Sequence, residues 1–67
     1  MIKAKDIGAR MRKLRRALNL TQAQAAARAG FPISQWGQLE IGCHYPSIPR
    51  LAQIAEALEC SPGELLP

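Results

Sequence analysis

Cys43 and His44 stand side by side, and a thiol beside an imidazole can hold a metal or act as a nucleophile. Each use needs more residues than these two. A structural metal site needs a second ligand pair at finger-like spacing, and none is present. A nucleophile needs a base and a third group to orient it, and no Ser/His/Asp or Cys/His set is completed. No catalytic residue, metal ligand or cofactor is therefore assigned. Cys60 is far from Cys43 with no CxxC, the usage of a reducing compartment and not of a disulfide scaffold. The chemistry that remains is charge. Residues 1–28 hold eight of the nine Lys and Arg against Asp6 alone, a net of +7. Residues 29–67 hold Arg50 against Glu40, Glu56, Glu59 and Glu64, a net of −3. A basic half on a small domain is the footprint of a polyanionic partner, with a plain solvated surface as the alternative.

The elements that must position these charges are short. Sixty-seven residues make one domain, 1–67, with a radius of gyration near ~11 Å. That leaves little room for an enclosed reaction cavity and argues against an enzyme. The chain is 48% hydrophobic and 21% charged, in the range of folded globules. No apolar run reaches the ~18 residues of a membrane span, and the basic N-terminus lacks the apolar core of a signal peptide. A cytoplasmic, nucleoid-associated protein with no membrane partner and no evident small-molecule ligand is expected. No stretch alternates with period two, so the fold class is all-α.

Five helices follow from the pattern. From Asp6, the residues Ile7, Met11, Leu14 and Leu18 form one apolar stripe, with Arg12, Lys13 and Arg16 opposite and Arg10 and Arg15 on its flanks. The helix should stop near Asn19. Thr21 and Gln24 make a capping box that opens a second helix, whose inner face is Ala25, Ala26 and Ala29 and whose stop is Gly30. A third runs from Pro32 or Ile33 to Ile41, with Trp36 and Leu39 inward and Gly42 as its end. Ser47 caps a fourth, with Ile48, Leu51, Ala52, Ile54, Ala55 and Leu58 as its buried face. Ser61, Pro62 and Glu64 start a last short helix.

The stretch from Thr21 to Gly42 reads as two helices joined by a tight turn, the geometry of a helix-turn-helix whose second helix enters the major groove. Leu20-Thr21-Gln22, Ala26, Gly30, Gln38-Leu39-Glu40 with Gly42, Pro46-Ser47, Ile54 to Leu58 and Ser61 to Leu66 together resemble the phage-repressor (lambda-repressor-like, Cro-type) helix-turn-helix family. The resemblance spans about Ile7 to Leu66, with the helix-turn-helix unit at about 21–41. It implies a compact five-helix DNA-binding domain and a homodimer on double-stranded DNA.

By that resemblance, Gln22 at the start of the second helix bonds a DNA phosphate and braces the recognition helix, and Thr21 beside it counts among the DNA-binding residues. Ile33, Ser34, Gln35, Gly37 and Gln38 lie on the recognition helix, and His44 and Tyr45 lie in the loop beside the DNA backbone. Arg15 and Glu40 match a buried ion pair between the first and third helices, and Cys60 matches a buried aliphatic position. The departures are Pro32 in place of a capping Ser or Thr, Ile33 in place of a polar base reader, Trp36 in place of a smaller aliphatic, and a loop without Lys or Arg. Leu65 and Leu66 are the candidate dimer surface. The function expected is sequence-specific transcriptional regulation, most simply repression by occupancy of a near-palindromic operator. The alternatives are an antitoxin or restriction-modification controller of the same fold, and a protein-interaction module that has lost DNA binding.

Overall fold

The hydroxyl of Thr21 accepts from the Gln24 backbone N–H at 3.1 Å while the Gln24 side chain accepts from the Thr21 N–H at 2.9 Å. This closed box starts the second helix where the sequence places it. A computed structural model describes all 67 residues and contains four α-helices: α1 Ala4–Ala17, α2 Gln22–Ala29, α3 Ile33–Ile41 and α4 Ile48–Ala57. The expected fifth helix is instead one 3₁₀ turn, Pro62–Leu65. Four residues that include a proline and a glycine cannot nucleate an i→i+4 ladder, so the chain settles for i→i+3 bonds. The Glu64 carboxylate still accepts from the Ser61 N–H at 2.8 Å and holds that turn closed.

α1 begins at Ala4, two residues before the expected start, because Lys3 is already extended and Ala4 and Lys5 are good helix formers. Asp6 thus lies inside the first turn, where its charge suits the positive end of the helix. Pro32 is the extended cap of α3 and not its first helical residue. All four helices end alike. A left-handed residue (Asn19, Gly30, Gly42, Glu59) follows each, and the next N–H returns to the carbonyl five positions back at 2.9–3.1 Å. At Glu59 this conformation costs a non-glycine residue about 1 kcal/mol. The Glu59 carboxylate meets Arg28 at 3.0 Å on the exposed surface.

The core joins Ile7 and Met11 of α1, Ala25, Ala26 and Ala29 of α2, Phe31 of the turn, and Trp36 and Leu39 of α3. Ile54, Ala55, Ala57 and Leu58 of α4 and Leu65 of the final turn complete it. Two expectations for α4 fail. Ile48 is 83% exposed and Ala52 is exposed, whereas Ala57 is buried. The apolar stripe of α4 is wider than the face covered by α2 and the final turn, and periodicity alone does not tell which margin is left out. Leu65 is fully buried, which removes it from any dimer surface, while Leu66 remains 37% exposed.

α1 and α3 cross at Gly8, a residue the sequence pattern did not single out. A Cβ added there would overlap the carbonyl oxygens of Leu39 and Glu40. Backbone, which cannot swing aside, is what blocks it. Gly8→Ala gains about 1 kcal/mol of helix propensity but must push two helices apart. A net destabilisation of about 1–3 kcal/mol is expected, read as a lower urea midpoint. An unchanged or raised midpoint would show that the crossing has slack.

Candidate nucleic-acid interface

α3 has two unlike faces. Trp36, Leu39 and Glu40 turn inward and are buried. Ile33 and Ile41 are 55% and 66% exposed, and Ser34 and Gln38 are exposed beside them. Gly37 and Gln35 are half-buried on the two margins of this outer strip. Trp36 has no exposed surface and shares the core with the alanines of α2, its ring 6.2 Å from that of Phe31. Small residues on α2 leave the volume that the indole fills, as interiors conserve total volume better than identity.

The Glu40 carboxylate ties the inner face together. One oxygen accepts from Arg15 Nε at 2.6 Å and from the Trp36 indole N–H at 2.6 Å. The other accepts from Arg15 Nη2 and Gln22 Nε2, each at 3.1 Å. A further guanidinium N–H of Arg15 reaches the Leu20 carbonyl at 2.9 Å. One side chain of α3 thus binds α1, the start of α2 and its own preceding turn. Burial by itself would raise the Glu40 pKa. The hydrogen bonds from Arg15, Gln22 and Trp36 and the guanidinium charge outweigh burial and hold the carboxyl below its ordinary 4.5. Sequence reasoning paired Arg15 with Glu40 and separately placed Trp36 in the core, but did not join them. The available signal was the i, i+4 spacing of Trp36 and Glu40 together with the need of a buried indole N–H for an acceptor.

On one margin of the outer strip lies the start of α2. The Thr21 hydroxyl and the Gln24 amide are engaged with each other's backbone. Gln22 gives one amide hydrogen to Glu40 and is half-buried. Its second amide hydrogen and the backbone N–H groups of Gln22 and Ala23 stay available to an anion, whereas that of Gln24 is taken by the Thr21 hydroxyl. A Cβ on Gly37 would stand an ordinary 3.9 Å from the Gln22 amide oxygen, so the fold does not require glycine there.

The other margin is built by α4 and its preceding loop. Arg50 stacks over Phe31, 4.5 Å from the ring centroid, and donates to the Gln35 amide oxygen. Gln35, His44, Tyr45, Ser47 and Arg50 line an open cleft of about 250 Å³. The Tyr45 hydroxyl donates to the Ile2 carbonyl at 2.6 Å and so pins the N-terminal residues to this loop. Arg50 was not among the sequence candidates; its register on α4 relative to Phe31 is a tertiary fact. Cys60 is half-buried, and burial together with the nearby Glu64 raises its thiol pKa, which leaves it a protonated, weakly polar filler. No helix is long and apolar enough to cross a membrane.

A capped helix, a glycine turn and a second helix with one buried and one open face make up a helix-turn-helix domain of the transcription-regulator kind. Residues 6–67 match the family described as "Helix-turn-helix domain", and the chain belongs to that family. It is 39% identical over 56 residues to the cryptic phage CTXphi transcriptional repressor RstR of Vibrio cholerae, covering 84% of this chain and 50% of that protein. The chain therefore spans about half the length of that relative. It is 37% identical over 62 residues to the HTH-type transcriptional regulator y4dJ of Sinorhizobium fredii, covering 92% of this chain and 80% of the other. Among solved structures, the restriction-modification controller protein C.AhdI from Aeromonas hydrophila superposes with a TM-score of 0.89 at 34% identity, covering 92% of this chain and 94% of that one. The clp gene regulator ClgR from C. glutamicum shares the fold, with a TM-score of 0.87 at 24% identity over 92% and 80% of the two chains. DNA-binding regulation of transcription is the function of the domain.

Proposed function

We propose that the protein is a repressor that binds a near-palindromic operator as a homodimer, in the cytoplasm with the nucleoid. The observation that carries this is the outer strip of α3, with Ile33, Ser34 and Gln38 open to solvent on a helix held rigidly from both sides. In a dimer, the two α3 helices would sit about 34 Å apart to enter successive major-groove faces. Gln38 carries an exposed amide able to bond adenine N6 and N7 together, and Ile33 suits a thymine methyl. α3 has no cation, so affinity comes from phosphate contacts by Thr21, Gln22, His44, Tyr45 and basic side chains elsewhere. The structural similarity to C.AhdI supports a controller role as the second reading.

The test is operator selection followed by a salt series. Affinity should fall with a log–log slope of about −4 to −7, as for five to eight neutralised phosphates. Gln38→Ala should relax preference at one base pair per half-site by about 1–3 kcal/mol and leave the slope nearly unchanged. A Gln38→Ala protein that keeps every base preference would remove this residue from readout. Binding of a protein partner with no DNA shift at any salt would point instead to an interaction module.

Gly37 gives a separate check. Gly37→Ala should stabilise the fold by about 0.5–1 kcal/mol, since the space is open and alanine is the better helix former. Operator affinity should fall nonetheless, because the added methyl stands where the backbone approaches DNA. A variant both more stable and equally tight would make Gly37 a tolerated surface glycine.

A further inference from the structure

Gln35 and Gln38 lie three residues apart on α3, close enough to be neighbours on its surface. The structure makes them chemically unlike. Gln38 is exposed, and its amide can turn to offer a donor and an acceptor together. Gln35 is not free to turn. A guanidinium has five donors and no acceptor, so the atom of Gln35 that faces Arg50 must be its oxygen. Arg50 is itself held by its stacking on the ring of Phe31, a buried residue of the interhelical turn. The amide NH₂ of Gln35 is then left without a protein partner, on a residue that lines the open cleft with His44, Tyr45 and Ser47.

The geometry points to Arg50 as a positioning residue that turns Gln35 into a donor-only group, aimed at an oxygen of the DNA. The cleft is lined by the polar groups of Gln35, His44, Tyr45, Ser47 and Arg50 together with Leu39 and Pro46, and it sits at the margin of α3, which favours a phosphodiester oxygen over a base edge. With its acceptor engaged, Gln35 cannot form the paired contact to adenine that Gln38 can. Two glutamines on one helix thus do different work, and the difference is set from α4. This assignment rests on the DNA-binding reading above.

Two measurements test it. In the free protein, the side-chain amide signal of Gln35 should show restricted motion by NMR relaxation while that of Gln38 is mobile. Arg50→Met, which keeps the stem over Phe31, should release Gln35. Equal mobility of both amides in the wild type would overturn the positioning role without any use of DNA. In DNA titrations, Gln35→Glu keeps the Arg50 partner but removes the donor. It should weaken binding to all sequences by about tenfold and leave base preference unchanged, as expected for loss of a phosphate contact. Loss of preference at one base pair would place the acceptor on a base instead. Arg50→Met should weaken binding in the wild type and add nothing in a Gln35→Ala background. A further loss there, with a salt slope shallower by about one, would show that Arg50 touches phosphate directly and would overturn the proposal. A wild type that binds no DNA would refute the donor role together with the regulatory reading, while the amide relaxation would still decide the positioning.

Discussion

Glu40→Gln, which exchanges one oxygen for a nitrogen, is expected to destabilise the protein by about 3–5 kcal/mol. Each carboxylate oxygen of Glu40 accepts two hydrogen bonds. Whichever way the new amide turned, its NH₂ would face two donors, and Arg15, itself only 9% exposed, would lose its counter-charge. A domain of this size has a total stability of about 3–10 kcal/mol, so the loss takes a large share of it and the denaturation midpoint of the variant should fall steeply by circular dichroism. Arg15→Met with Glu40→Leu should lie closer to wild type than either single change, because no charge is then stranded. A loss under 1 kcal/mol for Glu40→Gln would show that the carboxylate is dispensable. The pH dependence has a definite sign. The folded pKa is below the unfolded value, so the contribution of Glu40 is fully present above about pH 4.5 and is lost as pH falls through the folded pKa. Denaturation midpoints should therefore drop on the acid side of 4.5, and the drop should be smaller in the double variant.

Trp36→Ala is the second large effect, at about 3–5 kcal/mol. The indole is fully buried, so the change opens a cavity among Phe31, Leu39 and the alanines of α2. It also strips one donor from Glu40. Trp36→Phe separates the two losses. It keeps most of the ring volume and removes the hydrogen bond, for about 1–3 kcal/mol. Native fluorescence should be blue-shifted and resistant to acrylamide. Red-shifted, readily quenched emission would place Trp36 on the surface and remove this account.

Several helix ends were legible because they are local, though not the start of α1 or the left-handed Glu59 after α4. Thr21 with Gln24, Gly30, Gly42 and Ser47 each satisfy or redirect backbone groups within a few residues, and sequence shows that directly. The alanine face of α2 and the inward turn of Trp36 and Leu39 were legible from periodicity. What was hidden depends on partners distant in the chain. Ile48 looks as buried as Ile54 until the neighbours of α4 are known. Gly8 resembles any helical glycine until the carbonyls of α3 are set against it. Arg50 is an ordinary cation until Phe31 lies beneath it. At the site, residue types suggested the outer strip of α3, but the contrast between a Gln35 amide held by Arg50 and an exposed Gln38 amide requires the tertiary structure.

The connection between α2 and α3 is three residues long, and none of the three has slack. Gly30 is left-handed, Phe31 is buried and overlaid by Arg50, and Pro32 has its φ set by its own ring. The two helices therefore behave as the arms of a rigid bracket. Their mutual angle is stored in a few backbone torsions of that turn. Drift at Phe31 or Pro32 would tilt α3 as a whole, changing how steeply it enters a groove and which of its side chains lead. Under the proposed DNA-binding mode, the pitch of α3 is set from outside its exposed strip, so two proteins with identical strips would still be able to prefer different operators.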